Sequence, residues 1–172
     1  MEGLRSELEV LGQALIALVL GGIIGWERQA AGKWAGLRTH MLVCFASMLF
    51  VRVGEFLILD AQEWVRPDSL RLDPVRLVEA IVTGIAFIGA GTVIFDRQRS
   101  VAQGLTTAAS LLAVAPIGVA VAVHRYFLAA GATLIVLIVL RGVSRLEQRG
   151  FGPATVPQPP EANRKEDNKT RT

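Results

Sequence analysis

The stretch 79-EAIVTGIAFIGAGTVIFDRQRSVAQGLTTAASLL-112 decides the fold. It holds two glycine- and alanine-rich apolar arms joined by a short charged link, Asp96-Arg97-Gln98-Arg99. Neither arm carries the polar stripe that a surface helix of a water-soluble domain shows, so both are suited to lipid. Gly84, Ala86, Gly89, Ala90 and Gly91 in the first arm, and Gly104, Ala108, Ala109 and Ala113 in the second, permit close backbone approach. In a bilayer, helix contact comes from van der Waals packing and weak inter-helix hydrogen bonds, which Thr83, Thr92, Thr106, Thr107 and Ser110 can supply. The pair is expected to be the packed centre of a small membrane protein, with other spans around it.

Outward from this pair, three more apolar runs appear. The first, about Leu8 to Trp26, is long enough to cross a hydrocarbon core of roughly 30 Å. It ends on the small residues Gly21, Gly22 and Gly25, and Glu27-Arg28 stops it. The second, about Thr39 to Leu59, is interrupted by Arg52 and Glu55, whose i,i+3 spacing lets them pair or snorkel toward a nearby interface. A polar link from Asp60 to Arg76 follows, in which Asp73-Pro74 reads as an N-cap and first-turn proline. The third span covers about Val75 to Phe95, the fourth Gly104 to Val123 and the fifth Tyr126 to Leu140. Pro116 should kink or end the fourth. The His124-Arg125 turn is short enough to make the last two spans antiparallel neighbours. The expected fold is therefore an all-α polytopic membrane helical bundle of about five transmembrane helices over residues 1–145. The Pro-rich, charged tail 146–172 cannot bury a core and is expected to be disordered and cytoplasmic.

Composition agrees. A mean hydropathy of +0.45 and 52% hydrophobic residues favour a polytopic membrane protein over a soluble domain. The pI near 9.6 points to topology rather than to nucleic acid, because membrane proteins collect Lys and Arg on the cytoplasmic side. The links after spans one, three and five carry Arg28, Lys33 and Arg38, then Arg97 and Arg99, then Arg141, Arg145 and Arg149. The positive-inside rule then sets the N-terminus outside, in the periplasm, and the C-terminus in the cytoplasm. The acidic N-terminal segment without a small-residue cleavage motif reads as a retained span. A single cysteine, Cys44, excludes an internal disulfide and a cysteine metal cluster, and His40 and His124 are too few for a histidine-built zinc site.

Glycine spacing in GIAFIGAGT is not that of a nucleotide-binding loop, and helix packing explains it better. In GIIGWERQAAGKWAGLRTHMLVC, Trp26 and Trp34 suit the headgroup level beside a basic link. The blocks IGWERQAAGKWAGLRTHMLVC, DPVRLVEAIVTGIAFIGAGTVIF and SVAQGLTTAASLLAVAPIGVAVAVHRY, in that order, resemble the signature blocks of the MgtC/SapB family of bacterial inner-membrane proteins. The resemblance covers roughly Gly12 to Gly142. Glu27, Arg28, Gln29, Lys33, Gly36, Leu37, Arg38, Thr39 and His40 stand where that family has its ERQ…K…GLRTH block. Gly84, Gly89, Ala90 and Gly91 match its TGIGFLGAG, and Gly104 through Ala109 its GLTTAA. Ala86 departs from a glycine, Leu112 from a tryptophan, Pro116 from a small residue, and Glu79-Ala80 from an Ala-Gln pair. Asp96, in the link between the second and third blocks, joins these motif residues as a candidate.

What the resemblance implies is a plasma-membrane protein tied to growth under low magnesium and, in some pathogens, to survival inside macrophages. It also implies, for one branch, restraint of the proton-driven ATP synthase. Longer members carry a C-terminal regulatory domain similar to ACT folds, for which the tail here has no room. Magnesium prefers about six oxygen ligands, and Glu27, Glu79, Asp96 and Glu55 all fall near span ends rather than mid-membrane, where a charge would flag a pathway. His40 and Cys44 share a helix face without a third catalytic partner. The expectation is a protein without enzymatic activity, cofactor or metal site. It would contact another membrane protein or itself, as a homo-oligomer; an ion or magnesium transporter is the alternative.

Overall fold

The computed structural model describes residues 2–64, 73–96 and 101–146. Five helices carry nearly all of them: α1 (Glu2–Ala30), α2 (Leu37–Trp64), α3 (Pro74–Gly91), α4 (Leu105–Ala122) and α5 (Tyr126–Leu146). This is the helical membrane bundle expected. Gly3–Ala30, Leu37–Leu59 and Leu105–Ala122 are each long and apolar enough to cross a membrane, while α5 carries a shorter apolar stretch, Tyr126–Gly142. Residues 147–172, the bulk of the expected tail, lie outside the described residues.

Local chemistry sets the helix ends. The Asp73 carboxylate accepts from the Val75 N–H at 2.9 Å, with Pro74 in the first turn, as the sequence suggests. α1 ends in a Schellman closure: Lys33 N–H reaches Arg28 O and Gly32 N–H reaches Gln29 O, both at 3.0 Å. Gly32 supplies the left-handed conformation this closure requires, at φ +65°. The turn between α4 and α5 is as short as expected and places His124 at φ 61°.

Several boundaries move. α1 begins six residues before Leu8 and runs past Trp26, α2 continues past Leu59 into the expected polar link, and α5 extends beyond Leu140. The third span does not reach Phe95. Thr92 caps α3 by returning its N–H and its hydroxyl to Gly89 O, and the chain then forms an antiparallel hairpin of β1 (Ile94–Asp96) and β2 (Val101–Gln103). The strands pair Ile94 with Gln103 and Asp96 with Val101; Arg97, Gln98 and Arg99 of the expected charged link lie outside the described residues. Gly104 closes it at φ +90°, where a Cβ would collide with the Thr92 carbonyl oxygen. Pro116 does not end the fourth helix, which continues to Ala122.

The packed centre also differs from the expectation. Among the described side chains of α3, Ile81, Ile85 and Gly89 alone are buried, a single stripe at four-residue spacing, and Phe87 is 82% exposed. The core instead lies between α1, α2 and α4, around Ile24, Met48, Leu111, Val114, Ile117 and Val121. Gly118, in the third block but beyond its GLTTAA match, is the reason. A Cβ there would overlap the carbonyl oxygen of Cys44, and on the opposite side a Cβ on Gly21 would come within 2.7 Å of Cys44 Cβ. A Cβ on Gly25 would come equally close, 2.7 Å, to Leu37 Cα. Gly89 touches Ala108 of α4, but Gly84 and Gly91 face open space.

Several polar groups inside the bundle are tied to nearby carbonyls, as a dry environment requires, whereas Gln13 Oε1 and Arg52 Nε are buried without a partner among the described residues. Ser47 donates to Val43 O and Thr133 to Ala129 O, both at 2.8 Å. Gln13 of α1 reaches across to the C-terminal end of α4, where its Nε2 donates to Val121 O at 3.1 Å and Ala122 O at 3.3 Å. The remaining surface is a belt of exposed Leu, Ile, Val and Phe, with Phe127 at 98% exposure, which suits lipid contact.

Replacing Gly118 by alanine is expected to lower stability by about 1–3 kcal/mol, the usual cost of overpacking. Gly131→Ala, in open space on α5, is expected to leave it unchanged or slightly raised. Titration of the purified protein with a denaturing detergent, followed by helicity, checks both.

Candidate functional site

Most of the motif residues meet at one end of the bundle, where α1 finishes and α2 and α4 begin. Glu27 and Arg28 are neighbours in sequence, yet their side chains fold onto each other. Arg28 Nε donates to Glu27 Oε2 at 2.5 Å and Nη2 to Oε1 at 2.8 Å, a two-pronged fork with both side chains buried. Such a pair satisfies two charges that could not be left alone in a low-dielectric site. Gln29 Oε1 accepts from the Leu37 N–H at 3.3 Å, bridging the end of α1 to the start of α2.

His40 is fully buried and links α2 to α4. Its Nδ1 lies 2.9 Å from Gly36 O and its Nε2 3.0 Å from the Ser110 hydroxyl, which lies 2.8 Å from Thr107 O. A carbonyl can only accept, so Nδ1 carries a proton. In a neutral ring Nε2 then accepts, and the single Ser110 hydroxyl proton faces two acceptors. A doubly protonated ring would instead donate to Ser110 and leave that proton for Thr107 O. Ser110 was legible only as a packing hydroxyl, because its partner is seventy positions away in sequence.

The other candidates divide among three places. Lys33, Gly104 and Thr107 line one cavity of ≈ 380 Å³ with Gly32, Trp34 and Gln103. Arg38 and Thr39 lie at a separate groove of ≈ 540 Å³ between α2 and α3, otherwise lined by apolar residues such as Leu42, Phe50, Ile81 and Ile88. Gly89 packs on Ala108, a Cβ on Gly91 would meet nothing within 4 Å, Thr106 is exposed, and Asp96 closes β1. Among the described residues, no group of three or more His, Cys, Asp or Glu could hold a metal ion.

At the opposite end, the expected Arg52–Glu55 pair forms at 2.6 Å, with Arg52 buried and 5.6 Å from the Phe56 ring centre. His124 Nε2 meets Glu9 Oε1 at 2.5 Å and joins the α4–α5 turn to α1. A wider cavity of ≈ 820 Å³ opens there, with Arg52, Arg76 and His124 in its wall. This end holds the beginning of the second family-like block, at Asp73 and Arg76, and the end of the third, at His124, but none of the motif residues singled out in the sequence. The polar residues Gln13 and Arg52 inside apolar runs were its only sequence signal.

The profile of the MgtC family matches residues 14–149, a segment that contains both ends of the bundle. This chain belongs to the MgtC family. Its apolar helices and its MgtC family membership make it a membrane protein. It is 38% identical over 141 residues to the Escherichia coli K12 protein named "Putative magnesium transporter YhiD", covering 82% of this chain and 63% of that one. An uncharacterised Haemophilus influenzae protein is 35% identical over 145 residues, or 84% of this chain and 59% of the relative. Protein MgtC of Salmonella typhimurium LT2 is 37% identical over 123 residues, covering 72% and 47%. The chain therefore spans less than two thirds of the length of these relatives. No solved structure matches it.

Breaking the buried fork by Glu27→Gln is expected to cost about 3–5 kcal/mol, because Arg28 is left charged and buried. The double variant E27Q/R28M should recover most of that loss in the same denaturation assay. A mutant cycle of His40→Phe against Ser110→Ala should return a coupling of about 0.6–1.7 kcal/mol, the range of inter-helix hydrogen bonds in membranes.

Proposed function

We propose that this chain is a non-enzymatic inner-membrane protein of low-magnesium adaptation, working by lateral contact with another membrane protein or with a second copy of itself. The observation that carries this reading is the groove between α2 and α3. Beyond Arg38, Thr39 and Ser47 it is lined by apolar residues, and Gly84, which lies in its wall, has nothing within 4 Å of where a Cβ would be. A helix of another protein could approach α3 closely there, as small residues allow in bilayers. The names of two relatives, "Putative magnesium transporter YhiD" and "Protein MgtC", support the link to magnesium. The proton-driven ATP synthase is the partner that the family resemblance implies, and survival inside macrophages is the role it implies for pathogens.

The orientation follows from charge. The α1–α2 link with Lys33 and Arg38, the hairpin and the end of α5 lie in the cytoplasm, and the N-terminus lies outside.

A second reading, magnesium or other ion transport, is favoured by the name of the Escherichia coli relative. Side-chain geometry supports contact over transport. Glu27, the buried acid of the motif end, is occupied by Arg28, and Glu79 is exposed at the outer half of α3.

In a strain lacking the gene, the wild-type protein is expected to restore growth in low magnesium. Gly84→Leu, which fills the groove without a clash in the fold, should reach the membrane at normal levels and fail to restore it. Purified protein in liposomes loaded with a magnesium-sensitive dye should give no flux; flux abolished by E27Q would establish the transporter instead.

A further inference from the structure

The cavity of ≈ 820 Å³ between α2, α3 and the last residues of α4 opens at the far end of the bundle from the motif residues. Most of its wall is apolar, yet four charged side chains reach it: Arg52 and Glu55 of α2, Arg76 of α3 and Asp73 at the N-cap of that helix. His124, also in the wall, is taken by Glu9.

Arg52 is the group that the fold leaves incomplete. It is 6% exposed and sits within the apolar run of α2. Its Nη1 donates to Glu55 Oε2 at 2.6 Å, whereas its Nε is buried and has no partner among the described residues. A buried N–H of a charged group is costly to leave unmet. An acceptor from outside the chain, arriving through the cavity that Arg52 lines, removes that cost, and a guanidinium edge matches the oxygens of a phosphate group.

The charges are also ordered by depth. Along α2, Glu55 lies one turn nearer the rim than Arg52, about 4.5 Å on. α3 starts at this rim, so Asp73 is outermost and Arg76 lies about 4.5 Å deeper, with Leu77 and Ala80 beyond it. Both helices thus set a base inside and an acid outside. A zwitterionic phospholipid has the same order along its length: apolar chain, phosphate, ammonium. A free anion would meet the two bases and leave two carboxylates facing it.

We propose that this cavity binds one molecule of phosphatidylethanolamine. Its phosphate accepts from Arg52 Nε and from Arg76, its ammonium donates to the carboxylates of Glu55 and Asp73, and an acyl chain lies along Leu77 and Ala80. A primary ammonium donates hydrogen bonds, as a lysine does, and a quaternary choline donates none. This goes beyond the contact reading above and does not rest on it, because binding is read on the isolated protein.

The test is native mass spectrometry of the full chain, stripped of lipid in detergent and titrated with dioleoyl phosphatidylethanolamine, phosphatidylcholine or phosphatidylglycerol. One saturable phosphatidylethanolamine adduct is expected, at least fivefold tighter than either other lipid. Arg52→Lys, which keeps the charge and loses Nε, should weaken it at least tenfold, and Arg76→Gln severalfold. Asp73→Asn, whose amide oxygen can still cap α3, should remove most of the preference over phosphatidylcholine. Arg141→Gln, a charge on α5 away from the cavity, should bind like wild type. Should Arg52→Lys lose its helicity, Arg76→Gln and Asp73→Asn decide. Absence of a saturable adduct, equal affinity for the three lipids, tighter binding of phosphatidylglycerol, or binding unaffected by both arginine variants overturns the proposal. So does displacement of the lipid by glycerophosphoethanolamine at equal concentration, which would assign the site to a soluble phosphoester.

Discussion

The backbone of α2 at Cys44 is held between two glycines, Gly21 of α1 and Gly118 of α4, and the rest of the bundle is built on that three-helix crossing. In water, such a core would be driven together by the release of apolar surface. In lipid that drive is weak, and what holds helices is contact between surfaces that fit. Dropping the side chain on both sides of Cys44 lets three backbones share one narrow crossing. Ile24, Met48, Leu111 and Ile117 then fill the space around it. α3 and α5 pack on the outside of this trio and keep most of their apolar surface for lipid.

The same crossing determines where polar chemistry can sit. Close approach of α2 and α4 puts His40 within reach of Ser110, and the glycine contact of α1 with Leu37 brings the Glu27–Arg28 fork beside them. Each ion pair or hydrogen bond here answers a local demand that hydrocarbon cannot meet. Chemistry is thereby pushed to the two rims of the bundle, and its middle is left to packing.

Much of this was legible in the residues. Apolar runs without a polar stripe announced membrane helices, Asp73-Pro74 announced the start of α3, and the Arg52/Glu55 spacing announced their pair. Gly21 and Gly25 were read as a close-packing face, and they are one. The glycine-rich arm of α3 misled, since composition reports that a helix can be approached closely and not by what. Of its glycines Gly89 meets a neighbour within the chain, whereas Gly84 and Gly91 do not. Gly118 stood alone in a run of valine and alanine and drew no notice, though it makes the tightest contact with α2. The grouping of Lys33 with Gly104 and Thr107 depends on tertiary folding that places the α1–α2 link over the start of α4, and no spacing along the chain encodes it. The hairpin escaped because a three-residue strand is too short to show alternation.

Gln13 leaves one consequence to draw. Its amide grips the last carbonyls of α4, while about 12 Å further along the same helix Gly21 is lodged against α2. Two fixings at a set separation act as a detent. α1 cannot screw or slide past its neighbours by part of a turn without stranding an amide at one end and jamming a backbone at the other. Evolution can therefore lengthen or shorten this helix before Gln13 at little cost, but a one-residue insertion between Gln13 and Gly21 would throw both fixings out of phase together.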